Sequence, residues 1–392
     1  MSAVATRQAG TQADWRCVSL GDICSKPQYG WTTKAKPESG ELKLLRTTDI
    51  TSGQIDWPRV PFCTELPPDP ERYLVREGDI LISRAGSVGV SHLVTSAEPS
   101  VFASYLIRFR PGPDVLPKYL AYFLKSPAYW KQIADNTAGI AIPNVNASKL
   151  QELRIPLAPL EEQRRIVAEL EKQFSRLDEA VANLKRVKAN AQHFERATIE
   201  TLTSPGSFSA KVVGTVADVA VSLDNMREPV NKTERAKRVG TIPYLGANGQ
   251  TGWIDEARFD EELVLVVEDE TFVGRKLPFS YYFSGKCWVN NHTHVLRARR
   301  DAVLPKYLNL ALSYYPFIPL TTGSTGRRKL TKAALMSAPI VLPDLATQQR
   351  IVTEVDRRLS IGREVEAEVD ANLKRAQALR QAILATVFFV AL

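Results

Sequence analysis

From Leu157 to Leu202 the chain reads LAPLEEQRRIVAELEKQFSRLDEAVANLKRVKANAQHFERATIETL, and from Leu342 it writes the same thing again as LPDLATQQRIVTEVDRRLSIGREVEAEVDANLKRAQALRQAIL. Leu160, Gln163, Arg165, Ile166, Val167 and Glu169 align with Leu345, Gln348, Arg350, Ile351, Val352 and Glu354, 185 positions on. The block Ala182-Asn183-Leu184-Lys185-Arg186 matches Ala371-Asn372-Leu373-Lys374-Arg375 at an offset of 189. The second copy therefore carries four extra residues between the two blocks, about one helical turn.

Val167, Leu170, Phe174, Leu177, Val181 and Leu184 recur at alternating spacings of three and four, the stripe of a coiled-coil seam. Its register shifts at Val187, Ala191 and Phe194. In the second copy Val352, Val355, Leu359, Val365, Val369, Leu373, Ala376, Leu379 and Ile383 form a rougher stripe, interrupted by Gly362. A four-residue insertion is a stutter, which unwinds a supercoil locally and keeps the apolar face on its partner. A helix of roughly 40 residues spans about 60 Å, and an apolar stripe that long has to be buried against something. The expected partner is its own repeat. The second globular stretch starts at the far end of the first helix, so the sequence predicts an antiparallel pair with a globular domain at each end and an approximate two-fold axis. The fold class is α+β, two mixed α/β domains joined by two long helices. The expected boundaries are a first domain over 1–156, a helix over 157–202, a linker over 203–211, a second domain over 212–341 and a second helix over 342–392.

The 392 residues are 44% hydrophobic and 24% charged, ordinary values for a globular protein. The opening MSAVATRQAGTQADW lacks the apolar core of a secretory signal. No apolar run approaches the ~20 residues a membrane helix needs; the stretch from Ala382 to Leu392, broken by Thr386, is expected to pack at the end of the helix pair. Cys17, Cys24, Cys63 and Cys287 have no ligand spacing and read as thiols in a reducing cytoplasm. A net charge of +8 and a pI near 9.2 suit a polyanionic partner, nucleic acid first.

The first globular stretch, Trp15 to Pro156, opens with a strand and turn over Trp15 to Ile23. Strands are expected at Leu42–Leu45, Asp79–Ser83, Ser104–Phe109 and Leu153–Leu157, with a helix from Pro117 to Ile133. The second, Val212 to Val341, repeats that order with different filler: Val-Leu-Pro-Lys-Tyr-Leu stands at Val115–Leu120 and again at Val303–Leu308. Shared residues imply a common scaffold, and unlike loops imply two surfaces with different preferences.

Catalytic signatures are missing from the sequence. It has no GxxxxGK[ST] loop, no strand-borne GxGxxG, no Asn/Asp-Pro-Pro-aromatic motif of amino methyltransferases and no PD...ExK cluster. His292-Thr293-His294 could set two imidazoles on one strand face, but lacks a third ligand nearby. What remains is two loop sets rich in residues that read nucleic acid. The first holds Gln28, Tyr29, Trp31, Thr32, Lys34, Arg46, Thr47, Asp49, Arg84, Ser104, Tyr105 and Asn144. The second holds Arg227, Asn248, Gln250, Asp269, Arg275, Lys276, Asn290, Asn291, His292, Thr325, Arg327, Arg328 and Lys329. Arg and Lys suit phosphates and guanine edges; Asn and Gln can grip adenine twice.

The chain resembles the specificity (S) subunits of type I restriction-modification systems. The resemblance runs nearly end to end, and each helix is opened by a Pro-Leu...Gln-Arg-Ile-Val block, Pro159 to Val167 and Pro343 to Val352. In the first domain it rests on Arg46-Thr47-Thr48-Asp49-Ile50, on Gly78 to Gly89 and on Ile140-Ala141-Ile142-Pro143-Asn144. In the second it rests on Gly246-Ala247-Asn248-Gly249, Gly252-Trp253-Ile254-Asp255 and Trp288 to Leu296. The family pattern is departed from where Ala346-Thr347 replaces Glu161-Glu162 and where Val387 to Leu392 forms an apolar tail. The resemblance implies two target recognition domains, each reading half of a split double-stranded DNA site, with the helices as spacer. It implies two methyltransferase subunits as partners, which two restriction subunits can join; the lack of a long apolar run leads to no membrane being expected among the partners. It implies a non-catalytic chain that binds no cofactor, its partners using S-adenosylmethionine for adenine N6 methylation and ATP and Mg for restriction. Two rival readings are a specificity chain for a fused methyltransferase-nuclease of another restriction class, and a coiled-coil scaffold for proteins.

Overall fold

The computed structural model describes residues 15–388 except 38, 52, 138–143, 204–212, 271 and 324–327. The expected linker therefore lies almost wholly outside the described residues, as do Thr325, Arg327, Ile140 to Pro143 and the last four residues of the apolar tail. The chain divides into two compact units, one of Met1–Asn183 with Asn372–Leu392, the other of Leu184–Ala371. Each unit thus takes part of both long helices, Leu160–Thr203 and Leu345–Phe388.

Both units are built on one frame. In the first, the strand Arg16–Ser19 pairs antiparallel with Arg154–Leu157, the strand that feeds the first long helix. In the second, Val213–Thr215 pairs in the same sense with Pro339–Val341, which feeds the second. Each opening strand runs into a helical turn closed by a capping box, Ser19 with Asp22 and Thr215 with Asp218. Between these ends the first unit holds two four-stranded sheets, and the second a six-stranded and a three-stranded sheet. The filler differs while the frame is kept.

The frame's joint explains the duplicated residues. Gln163, fully buried, accepts from Leu116 N at 2.8 Å and donates to Asp114 O at 2.9 Å and Ala158 O at 2.7 Å. Gln348, equally buried, accepts from Leu304 N at 2.8 Å and donates to Ala302 O at 3.1 Å and Pro343 O at 2.8 Å. The tyrosines of the repeated Val-Leu-Pro-Lys-Tyr-Leu finish the joint: Tyr119 Oη donates to Pro156 O and Tyr307 Oη to Val341 O. Lys118 pairs with Glu171, and Lys306 with Asp356. A buried amide that satisfies three backbone groups fixes how each helix leaves its domain.

Within each unit the two helix segments run antiparallel. In the first, Arg380 pairs with Asp178 and lies over the Phe174 ring, while Leu384 and Phe388, further along their helix, join the core with Leu170 and Phe174. The Phe388 ring meets Tyr119 and Phe123 edge-on at 5.4 and 5.5 Å. In the second, Lys188 pairs with Asp370 at 2.6 Å, and Ile199 shares a core with Ile351, Val352 and Val355.

The apolar stripe is uneven. Val167, Leu170, Phe174, Val352, Val355 and Val369 are buried, whereas Leu177, Val181, Leu184, Leu359, Leu373 and Ile383 are half-buried. Val187, Phe194, Val365 and Leu379 are 43%, 48%, 40% and 52% exposed, contrary to the expected seam, because the buried positions concentrate where the helices meet a domain core. At that end Leu384 and Phe388 are buried, and Ile383 packs half-buried against the same core. Gly362 breaks the apolar stripe and not the helix, which passes through it.

Two further corrections concern local structure. The helix expected from Pro117 to Ile133 is two, Pro117–Phe123 and Pro127–Thr137. Pro127 disfavours helical geometry at Ser126, and Ser126 Oγ instead accepts from Tyr129 N. The second helix opens without Glu161-Glu162 equivalents because Asp344 supplies the negative charge, its carboxylate accepting from Thr347 N at 2.8 Å.

Candidate nucleic-acid interface

In the first unit, backbone hydrogen bonds gather the loop set. Trp31 N donates to Phe102 O, Ser104 N to Trp31 O, Arg84 N to Tyr105 O, Val145 N to Arg84 O and Ala103 N to Leu45 O, at 2.8 to 3.0 Å. Tyr29, Trp31, Arg46, Arg84, Ser104, Tyr105 and Asn144 thereby meet although they come from five stretches of chain. The Arg84 guanidinium lies over the Tyr29 ring at 5.1 Å, and Tyr29 Oη accepts from Ala147 N at 2.9 Å. Arg84 Nε is buried without a hydrogen-bond partner. Tyr105 is 62% exposed, and Thr32, Lys34 and Asn144 are exposed beside it in sequence or structure.

Other members of the set serve the scaffold. Arg46 and Asp49 hold each other in a two-pronged ion pair at 3.0 and 2.8 Å, with Thr47 half-buried between them in sequence. The Trp31 indole N–H donates to Glu65 O. Gln28 turns inward, accepting from Arg108 Nη2, while its own Nε2 is buried without a partner. Arg108 is buried, donates to Leu74 O and Arg72 O, and lies 3.8 Å from the buried Asp79, which also accepts from Arg110 Nε at 2.8 Å. Burial pushes the Arg108 guanidinium down to about 10, against the pull of Asp79 and helped by the charges of Arg110 and Arg76. Sequence reading missed this pair; its one signal was an arginine inside the apolar strand Leu106–Phe109.

In the second unit, Asn248 accepts from Arg275 Nη2 at 2.7 Å and is exposed, as are Gln250, Lys276 and Asn291. The loop that carries Arg275 is held at its ends by Phe272 and Phe279, stacked at 5.3 Å. Asn290 Oδ1 accepts from His292 N at 3.0 Å, shaping the turn that presents Asn291. His292 Nδ1 lies 2.6 Å from Asp269, whose strand pairs with the strand Arg328–Leu330. Arg328 Nε donates to Thr321 Oγ1 at 2.6 Å, and Lys329 Nζ lies 3.1 Å from Glu268. Arg227 donates to Glu268 at 2.6 Å and to Thr293 O at 2.8 Å. The two histidines do not converge on one point. His294 is buried against Asp224 and Leu330 O while His292 faces Asp269.

Among the described residues no group of three His, Cys, Asp or Glu could hold a metal ion. Burial pushes the thiols of Cys24, Cys63 and Cys287 up to about 12, 11 and 12, which makes them poor nucleophiles and ligands. No described helix is long and apolar enough to cross a membrane.

Two unlike sets of polar loops thus stand on a repeated frame. Residues 12–188 and 210–371 each match the type I restriction modification DNA specificity domain, and the chain belongs to that family. It is a type I specificity subunit, a non-catalytic component of a methylating and restricting complex. The StySPI specificity subunit of Salmonella potsdam is 23% identical over 385 residues, 88% of this chain and 81% of that one. The EcoKI subunit of Escherichia coli is 22% identical over 383 residues, 88% and 82% of the two chains. A Haemophilus influenzae chain described as a type I specificity subunit is 34% identical over 139 residues; the match takes in 36% of this chain and only 35% of that relative. Among solved structures, a chain of a type I R-M system superposes with a TM-score of 0.69 at 22% identity, covering 95% of this chain and 97% of its own. The HsdS subunit of Thermoanaerobacter tengcongensis gives 0.53 at 20% identity, with 99% of each chain covered.

Proposed function

We propose that each unit reads one half of a split DNA site and that the long helices set the number of unread bases between the halves. The observation that carries this is the contrast between a duplicated joint, Gln163 and Gln348 in the same three-bond clamp, and recognition loops that share almost nothing. Identical mounting with different loops is what reading two different half-sites requires. On this reading exposed and half-buried polar side chains meet phosphates and base edges, with Arg84, Tyr105 and Asn144 foremost in the first unit and Asn248, Arg275, Asn291 and Lys329 in the second. Two methyltransferase subunits bind the chain and modify adenine N6 with S-adenosylmethionine, flipping the base from the stack. Restriction subunits that use ATP and Mg can join them, and the complex works in the cytoplasm.

The test is to express the chain with the neighbouring methyltransferase subunit and to sequence methyladenine in the host DNA at single-molecule level. A split motif with one methyladenine in each half supports the reading. A stable complex that methylates a continuous motif overturns it.

A further inference from the structure

Under the second loop set lies a network of charges that the reading above leaves unused. His294 is only 2% exposed, and both its ring nitrogens face acceptors: Nδ1 lies 2.6 Å from the Asp224 carboxylate and Nε2 2.8 Å from Leu330 O. A carbonyl can only accept, so Nε2 carries a proton, and Nδ1 on a carboxylate makes the ring a double donor. Asp224 also accepts from Val295 N at 2.8 Å and lies 3.6 Å from Arg227. Arg227 and Lys329 meet on Glu268, which is itself 3.9 Å from His294.

These contacts join stretches far apart in sequence. Asp224 sits in the turn Asp224–Met226, His294 on the strand Thr293–Ala298, and Leu330 ends the strand Arg328–Leu330. Two backbone bonds close the same circuit, Glu268 N to His292 O at 3.1 Å and Leu330 N to Glu268 O at 2.8 Å. One side of the circuit therefore holds the turn that presents Asn291, and the other holds the strand that presents Arg328 and Lys329. A domain needing only stability gains little from buried charges, since an apolar cluster of the same volume does as well. What ionic pairing adds is a fixed geometry.

We propose that His294, doubly protonated between Asp224 and Leu330, is a positioning residue that holds these two reading elements in register, so that it determines base specificity in the second half-site without touching DNA. This rests on the reading that the second unit contacts DNA through those elements. Burial raises the Asp224 carboxyl, but hydrogen bonds from His294 and Val295 and the charges of His294 and Arg227 outweigh it and leave the group below the ordinary range. Glu268 is likewise held low: burial raises it, and Arg227, His294 and Lys329 more than offset that. Both partners of the imidazolium are thus anions at neutral pH.

The experiment uses the full chain with its methyltransferase subunit and duplexes carrying single-base changes in each half-site, in competition binding at fixed salt. His294→Gln presents its donor and acceptor from one end and cannot bridge the two sides. Discrimination in the second half-site should fall at least tenfold, while discrimination in the first half and binding to random DNA stay within twofold. Asp224→Asn, which removes the charge and leaves one acceptor oxygen where Val295 N and His294 Nδ1 now have one each, gives the same readings if His294→Gln does not fold. Undiminished discrimination in both variants overturns the inference, as does an equal loss in both half-sites. An unaltered complex that reads no split site at all would instead overturn the functional reading beneath it.

Discussion

Replacing Gln163 with Ala tests whether the buried amide is the joint between domain and helix. The change deletes three hydrogen bonds and leaves Leu116 N without its acceptor. Each lost bond costs about 1 kcal/mol net, and a buried N–H left unpaired up to about 3. The two carbonyls keep a second lone pair each and recover part of the loss, so the sum is about 3 kcal/mol. For a unit of this size that is a fall of roughly 6 to 12 °C in its unfolding midpoint. Calorimetry reads the total, and hydrogen exchange over residues 112–120 reads the place. Gln173→Ala is the control: Gln173 is half-exposed, bonds Glu169 on its own helix, and its loss should stay within about 0.5 kcal/mol. Gln163→Glu sharpens the test. At neutral pH its carboxylate can still accept from Leu116 N but sets negative charge against two carbonyl oxygens. It should be worse than Ala at pH 7 and partly recover on acidification, as the protonated acid regains one donor. A Gln163→Ala chain that unfolds within 1 °C of the parent, with Leu116 exchanging no faster, would refute the clamp.

Four further outcomes are expected. Gly362→Ala should stabilise the second long helix by about 0.5 to 1 kcal/mol, since the helix continues through Gly362 and an added Cβ meets nothing within 4 Å; urea unfolding measures it. Phe388→Ala should destabilise the first unit by about 3 to 5 kcal/mol, the cost of emptying a core position between Tyr119 and Phe123, detectable as a thermal shift. Asp224 and Glu268 have folded pKa values below their unfolded ones, so their contribution is full above the ordinary carboxylate range and is lost as pH falls through the folded values; acid titration followed by exchange at 290–296 and 328–330 should show these stretches loosening at low pH, with no such loosening between pH 6 and 7. Deleting Glu366 to Val369, one helical turn, should change the number of unread bases and leave both half-site sequences intact, as methyladenine sequencing would show.

The repeat legible in the sequence was the mechanical part of the molecule. Gln163 and Gln348 served as alignment markers before their clamp was visible, and the conserved spacing of Tyr119 and Tyr307 carried the same message. These signals are local: a helix start, a stripe, a repeated hexapeptide. The sheets were less legible because their strands are two to four residues long in most of the first unit, too short for alternation to show. The split at Pro127 was written in the chain, and the run of apolar residues around it hid the break. The recognition loops were named by residue type, which finds polar side chains but cannot tell Tyr105, open to solvent, from Arg46, locked to Asp49.

The parts least visible in sequence are the charged networks under each loop set, Asp79 with Arg108 and Asp224 with His294. Their members stand 29 and 70 positions apart. No periodicity links such pairs, and burial is what gives them meaning, since an exposed pair of the same residues contributes little. They also adjoin the unlike loops, Arg108 through Gln28 and His294 through Leu330 of the strand that carries Arg328 and Lys329. On the proposed reading, a new half-site specificity needs the loop and the ion network beside it to change together. Swapping Asn291 or Lys329 alone should weaken recognition more often than redirect it.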